Sequence, residues 1–327
     1  MGKAWARNVR DHFPEVEIAA WVDIVPGAAE RAIEEIGLSG ARPFTDQAEA
    51  MRESDAEFLI DVSIPEAHEG VTIAALEAGL DVIGEKPMAP TLAAARRMVE
   101  IAERHGRTFM VSQSRRFDAN LAAYHSLIAA ELGDLGLLTT DFFIGAHFGG
   151  FRDEMASVLL LDMAIHTFDQ ARAISGRDAI SVYAEEFNPA WSWYQGASGA
   201  TCLFEMEDGV RFEYRGLWSA EGCPTSWQGS WRAVGSEGSA LWDGEGDVGG
   251  EIVAERGGFH SGVRRVRPAI EPVPMGIHGS LTEFLTARSQ GRTPISNARD
   301  NLNSLMMVLA AVESSRLGRR VRLDALE

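Results

Sequence analysis

Between residues 17 and 114 the chain alternates short apolar runs with longer stretches of helical periodicity, and this alternation narrows the fold more than any other feature. E-I-A-A-W-V-D (17–23) is an apolar run closed by an acid. P-G-A-A-E-R-A-I-E-E-I-G (26–37) opens on proline, keeps helical spacing and stops at glycine, as helices do. A-E-F-L-I-D-V-S-I (56–64) reads as a buried strand ahead of Pro65. Residues 66–79 read as a helix closed by Gly79, L-D-V-I-G-E-K-P (80–87) as a strand and turn, 92–106 as a helix closed by Gly106, and R-T-F-M-V-S-Q-S (107–114) as a strand. Strand–helix–strand units at this spacing imply a parallel sheet with helices on both faces. A helix over residues 3–13 precedes the first of these strands, with only Met1 and Gly2 ahead of it.

After Phe117 the period changes. Amphipathic stretches cover about residues 119–131 and 155–175, followed by strand-like runs broken by Gly and Asp turns, with E-D-G-V (207–210) as a hairpin signal. The expected organisation is an α/β nucleotide-binding domain over 1–117 and an α+β domain over 118–327 with a large, mostly antiparallel open sheet. In parallel α/β sheets, ligands bind at the carboxyl ends of the strands.

Charge and composition exclude several classes. The 327 residues carry 30 basic and 48 acidic side chains, a formal charge of −18 that repels polyphosphate backbones. Nucleic acid is therefore not an expected partner, and the Arg319, Arg320 and Arg322 cluster reads as a solvated helix end and strand. No run of 18 apolar residues suggests a membrane span. Cys202 and Cys223 have no ligand spacing and fit a reducing cytoplasm.

Three places carry chemistry. Asp23 closes the first strand, where an acid can accept the ribose hydroxyls of an adenosine and repel a 2′-phosphate, favouring NAD over NADP; the alternative is a helix cap or loop acid. Lys86, in G-E-K-P-M-A-P (84–90), sits at a strand's carboxyl edge and is held out of the α region by Pro87. It can hold a substrate hydroxyl and support its deprotonation, or it is a surface lysine paired with Glu85. In L-L-L-D-M-A-I-H-T-F-D (159–169), Asp162 and His166 lie four apart on one face of an apolar helix. The imidazole suits general acid/base work; the alternatives are a core histidine satisfied by Asp169, or a D-x3-H-x2-D metal site that no further cluster supports. Ser63, Pro65 and His68 form a strand-to-helix loop whose backbone can touch a dinucleotide.

Taken together, these residues resemble the glucose–fructose oxidoreductase, inositol dehydrogenase and rhizopine catabolism (Gfo/Idh/MocA) family. G-E-K-P-M-A-P looks like its E-K-P signature and L-L-L-D-M-A-I-H-T-F-D its D-x3-H helix. A-A-W-V-D, S-Q-S-R-R-F-D and the closing D-N-L-N-S-L-M-M-V-L-A-A-V-E-S-S-R-L-G-R-R-V-R-L follow in the family's order. The resemblance implies a Rossmann domain followed by an α+β domain, and NAD(P)-dependent oxidation or reduction of a sugar, cyclitol or related polyol. By motif, Lys86 matches the family lysine, Asp162 the substrate-binding acid, His166 the acid/base and Arg115 a position near the substrate; a cis Lys86–Pro87 peptide is also implied. Cofactor contacts are expected at Gly2, Asp23, Ser63, Pro65, His68, Glu85 and Lys86, with no metal. The family begins with a strand and G-x-G-x-x-G, of which only the last glycine, Gly2, has a match here. The expectation is an N-terminally truncated Rossmann domain, and a natural truncation would predict weak dinucleotide binding.

The expected function is hydride transfer between NAD and a secondary alcohol of a sugar or polyol. The alternative is a non-catalytic ligand sensor or scaffold. An open sheet face, with Trp191, Trp193, Trp218, Trp227 and Trp231 nearby in sequence, suggests a homodimer or homotetramer through the second domain.

Overall fold

The computed structural model describes residues 1–326, which divide into two compact units: 1–114 with 274–302, and 115–273 with 303–326. The first change of unit lies close to Phe117. The sequence reading keeps everything after residue 117 in one domain, whereas 274–302 packs with the first unit. The reason is side-chain partnership: Ser280 Oγ accepts from buried Ser112 at 2.9 Å, Arg288 reaches Asp81 at 2.6 Å, and Ser296 donates to the Val111 carbonyl at 2.8 Å.

Along the chain, the first unit contains α1 (Gly2–His12), β1 (Ala20–Val22), α2 (Ala28–Ile36), β2 (Arg42–Phe44), α3 (Gln47–Glu53), β3 (Phe58–Asp61), α4 (Pro65–Glu77), β4 (Asp81–Gly84), α5 (Leu92–His105) and β5 (Phe109–Val111). Its strands form two parallel ladders, β1–β2 and β3–β4–β5. Every residue of β4 and β5 is buried, the pattern of a strand covered on both faces. Helix ends follow local chemistry. Asp46 and Thr91 cap α3 and α5 through their side chains, and Gly37 and Gly106 close α2 and α5 in the left-handed region.

The second unit contains α6 (Ala119–Glu131), β6 (Leu135–Phe143), the short α7 (Phe151–Glu154), a π-helical turn (Leu159–Ala164) running into α8 (Ile165–Ser175), β7 (Ala179–Phe187), β8 (Gly199–Met206), β9 (Arg211–Leu217), β10 (Ser230–Gly235), β11 (Gly238–Trp242), β12 (Val248–Glu255) and β13 (Gly262–Val266). Helix α9 (Gly276–Gln290) belongs to the first unit. Helix α10 (Ala298–Leu317) passes from the first unit to the second between Leu302 and Asn303, and β14 (Val321–Arg322) ends the fold. The nine-stranded sheet has the order β13-β12-β11-β10-β6-β9-β8-β7-β14; β6 and β9 are parallel and the other pairs antiparallel.

Alternation decides its two faces. Along β9, Phe212 and Tyr214 are buried while Arg211, Glu213 and Arg215 are exposed. The covered face stacks Phe212 on Trp231 and Trp231 on Trp242, at centroid separations of 6.1 and 6.5 Å. The expected tryptophan-rich outer face is therefore corrected. Trp218 and Trp231 belong to the core, Trp193 stacks on His147, and Trp191 and Trp227 stand exposed outside the strands. The open face carries Arg232, Glu213, Arg211 and Arg215 instead.

Candidate active site

The first unit gathers its candidates at the carboxyl ends of its parallel strands. Gly2 opens α1, and a Cβ there would meet Trp21 Cζ2 at 3.3 Å and Val62 Cγ2 at 3.4 Å, so only a bare backbone fits without displacement. Asp23 follows β1, and its Oδ1 accepts from the Val25 N–H at 2.9 Å. After β3, Asp61 organises the loop. Its Oδ1 accepts from the Ser63 hydroxyl at 2.6 Å, and its Oδ2 accepts from Thr72 at 3.0 Å and lies 3.0 Å from His68 Nδ1. Asp61 and His68 are both buried. Burial alone would raise the Asp61 pKa, but the hydrogen bonds and charge of His68, with the Ser63 bonds, outweigh it and hold the carboxyl below its ordinary range. The imidazole of His68 is thus committed to Asp61, and Pro65 starts α4 with no N–H to leave unpaired.

The Lys86 turn follows β4. Glu85 N–H donates to the Asp61 carbonyl at 2.9 Å, and Ser112 N–H to the Gly84 carbonyl at 2.7 Å. The Glu85 carboxylate accepts from the Trp5 indole N–H at 2.7 Å and from the Lys86 N–H at 3.3 Å. The Lys86–Pro87 peptide is cis, and Lys86 is half-buried. A groove of about 830 Å³ in this unit, lined by Asp81, Arg107, Arg288 and Arg299, lies at the opposite, amino ends of β3–β5. Its arginines 288 and 299 are spent on Asp81, Glu57 and Glu103.

In the second unit, residues 157–170 are buried except Leu161, Asp162 and His166. The π-helical turn and the start of α8 therefore present one narrow stripe, and that stripe carries the acid and the imidazole. π-turns recur at functional sites because they re-aim side chains. Arg152 donates to Asp162 Oδ2 at 2.6 Å and lies over the rings of Phe148 and Phe151. Arg115 donates to the Trp227 carbonyl and approaches the Met163 sulfur at 3.6 Å. Burial pulls the Arg115 guanidinium down to about 9, with Tyr214 and Asp162 opposing. Beneath the stripe, Asp169 takes two hydrogen bonds from Arg116, at 2.6 and 2.8 Å, and one from Ser304 at 2.6 Å. The bidentate Arg116–Asp169 pair ties the Arg115 turn to the helix that carries Asp162 and His166. Among the described residues no cluster of His, Cys, Asp or Glu could hold a metal ion.

A family model for the NAD-binding Rossmann fold of an oxidoreductase family matches residues 1–113, and the model of the same family's C-terminal domain matches 122–241. The chain belongs to the Gfo/Idh/MocA oxidoreductase family. It is 28% identical to an uncharacterised protein of Sinorhizobium fredii over 99% of this chain and 93% of that one. It is 31% identical to an inositol 2-dehydrogenase of Pseudarthrobacter chlorophenolicus over 56% of this chain, a match spanning about half of the relative, 53%. Among solved structures, an oxidoreductase of Agrobacterium radiobacter, in complex with NAD+, L-tartaric acid and magnesium, superposes with a TM-score of 0.83 at 21% identity. That match covers 98% of this chain and 96% of the other. Within this Gfo/Idh/MocA member, sequence reasoning passed over Trp5, Asp61, Arg116 and Arg152. Asp61 alone left a local trace, as a strand-end acid two residues before a serine.

Proposed function

We propose that the protein is an NAD-dependent dehydrogenase acting on a secondary alcohol of a sugar, cyclitol or related polyol. The observation that carries this reading is the Asp162–His166 stripe, the polar opening in an otherwise buried helix. The features that fit the cofactor are the glycine at the start of α1, which lets the helix pack closely on Trp21 and Val62, and the acid after β1. Gly2, Asp23, Ser63, Pro65, His68, Glu85 and Lys86 are the proposed contacts, with His68 and Glu85 acting through backbone because the His68 ring is held by Asp61 and the Glu85 carboxylate by Trp5 and the Lys86 N–H.

When bound, the nicotinamide supplies the hydride acceptor. The chain supplies position and proton handling. His166 takes the hydroxyl proton, Lys86 stabilises the developing alkoxide, and Asp162 with Arg115 orients neighbouring hydroxyls. Composition supports the role of position 86: Lys3 and Lys86 are the chain's two lysines, against 28 arginines. Arginine cannot release a proton near neutral pH, so a lysine at 86 keeps an option that arginine lacks. The test is a screen of inositols, aldoses and sugar acids with NAD, following NADH. Oxidation by the wild type that falls in His166→Ala supports the reading; no oxidation of any of these refutes it.

We also propose that two copies pair through the open sheet face. Arg232, Thr139 and Glu213 lie in one cross-strand row, and neither Arg232 nor Glu213 has an ion-pair partner within 4.0 Å among the described residues. A two-fold axis running along β6 sets Arg232 of one copy against Glu213 of the other. Sedimentation showing a monomer, or an assembly unchanged by Arg232→Glu, refutes this arrangement.

A further inference from the structure

The indole of Trp5 points to a device that the catalytic reading does not use. Trp5 is 1% exposed, one turn into α1, and its N–H donates to Glu85 Oε1 at 2.7 Å across eighty positions of sequence. The other oxygen, Oε2, accepts from the Lys86 N–H at 3.3 Å. Both oxygens are thereby engaged, one by a buried ring and one by the backbone of the lysine itself. A carboxylate adjacent in sequence to Lys86 is turned back onto helix α1. A hydrogen bond from a buried indole to a carboxylate is of the stronger, charge-assisted kind, and a half-buried carboxylate is costly to leave without it.

We infer that Trp5 is a positioning residue for Lys86, acting through Glu85. Helix α1 begins at Gly2, where a Cβ would press on Trp21 at 3.3 Å, and the same helix meets the lysine turn one turn later. Any shift of α1 along its axis therefore reaches Lys86 through a single hydrogen bond. The turn is also held by backbone, with Glu85 N–H on the Asp61 carbonyl and Ser112 N–H on the Gly84 carbonyl, and by the buried side chains of Met88 and Ala89. Those bonds set the path of the chain and not the rotation of the Glu85 side chain. The inference rests on the proposed role of Lys86.

The test uses the full chain and two readouts. The first is NAD-dependent oxidation of myo-inositol by Trp5→Phe, Trp5→His, Glu85→Gln and Glu85→Leu. Phenylalanine keeps the ring and loses the donor; histidine keeps a ring N–H; glutamine keeps an acceptor oxygen; leucine keeps neither charge nor acceptor. The expected result is a fall in kcat of about tenfold for Trp5→Phe and Glu85→Leu, with the KM for NAD in Trp5→Phe within about twofold of wild type. Trp5→His and Glu85→Gln recover most of that loss.

The second readout needs no substrate. Acylation of the amines by acetic anhydride is followed by peptide mass spectrometry, with the rate at Lys86 divided by that at Lys3, the other lysine, which pairs with Glu35 on the surface. The ratio is expected to change by about threefold or more in Trp5→Phe and Glu85→Leu and to stay near wild type in the two conservative variants. An unchanged ratio in Glu85→Leu overturns the inference, as does a loss confined to the KM for NAD. If the wild type leaves myo-inositol untouched, that result counts against the substrate reading, and the acylation ratio alone decides the role of Trp5. Should Trp5→Phe fail to fold, the Glu85 pair decides it.

Discussion

Replacing Glu186 by glutamine should stabilise the protein in alkali and do little in acid. Glu186 lies in β7 opposite Ala200 of β8. One carboxylate oxygen accepts from Ser157 Oγ at 3.1 Å, while the other is buried without a hydrogen-bond partner. Burial raises its pKa from 4.5 to about 7, and the Ser157 bond offsets only part of this. The sign follows directly. The folded state keeps a proton that the unfolded chain releases above about pH 4.5, so stability falls as pH rises through the window from 4.5 to about 7 and stays low beyond it. A wholly buried carboxylate displaced that far would cost about 3.4 kcal/mol. Glu186 is only half-buried, and solvent screening brings the figure to about 1–2 kcal/mol. Glutamine carries no charge at any pH and retains a carbonyl oxygen for Ser157. Urea unfolding followed by tryptophan fluorescence should therefore show Glu186→Gln more stable than wild type by about 1–2 kcal/mol at pH 8, and by only a few tenths at about pH 4.5. Equal differences at both pH values, or a loss of stability at pH 8, would refute the reasoning.

Asp61→Asn should lower stability at neutral pH by about 2 kcal/mol, because Ser63, Thr72 and His68 lose a charged partner. The lowered Asp61 pKa places this contribution above the ordinary 3.8 and removes it as pH falls through the folded value, so thermal unfolding of variant and wild type should converge in acid; a gap constant with pH would be the wrong outcome. Arg116→Met should cost about 3 kcal/mol by leaving buried Asp169 with Ser304 and the more distant Arg172, and adding Asp169→Leu should restore part of it; additive losses in urea titrations would count against that pairing. His166→Ala should lower kcat by about 10²–10⁴, and turnover equal to wild type would remove the imidazole from the mechanism. Lys86→Arg keeps the charge but replaces a compact ammonium by a broad planar guanidinium, so kcat should fall by about tenfold; steady-state kinetics at wild-type rates would contradict it.

What could be read from the chain was what repeats locally. The buried strands were legible because D-V-I-G and F-M-V are apolar runs between helix stops, and a strand covered on both faces needs little else. Strand β2 was not, since R-P-F is three residues long, two of them exposed, and resembles a turn. The tryptophans show a limit of another kind: nearness in sequence does not decide which face a side chain takes. Period two would have separated Trp231, beside buried Ala233, from the outward Arg232.

The same division runs through the candidate site. Asp162 and His166 were legible because four residues of helix bring them onto one stripe. Arg152 was not, because the contact of its guanidinium with Asp162 depends on where a short helix after two glycines docks, which no periodic signal encodes. Lys86 was found by its neighbour Pro87, although composition offered a second route: a chain that uses arginine for 28 of its 30 cations has left lysine at 86. Trp5 is the hardest case. Along α1 it is one of three buried residues with Ala6 and Val9, and its spacing says only that it faces the core. Nothing local marks its N–H as aimed at Glu85. A core aromatic chosen for volume alone needs no partner for a ring N–H; a tryptophan with its donor satisfied by a carboxylate beside the proposed catalytic lysine is a choice of direction as well as size.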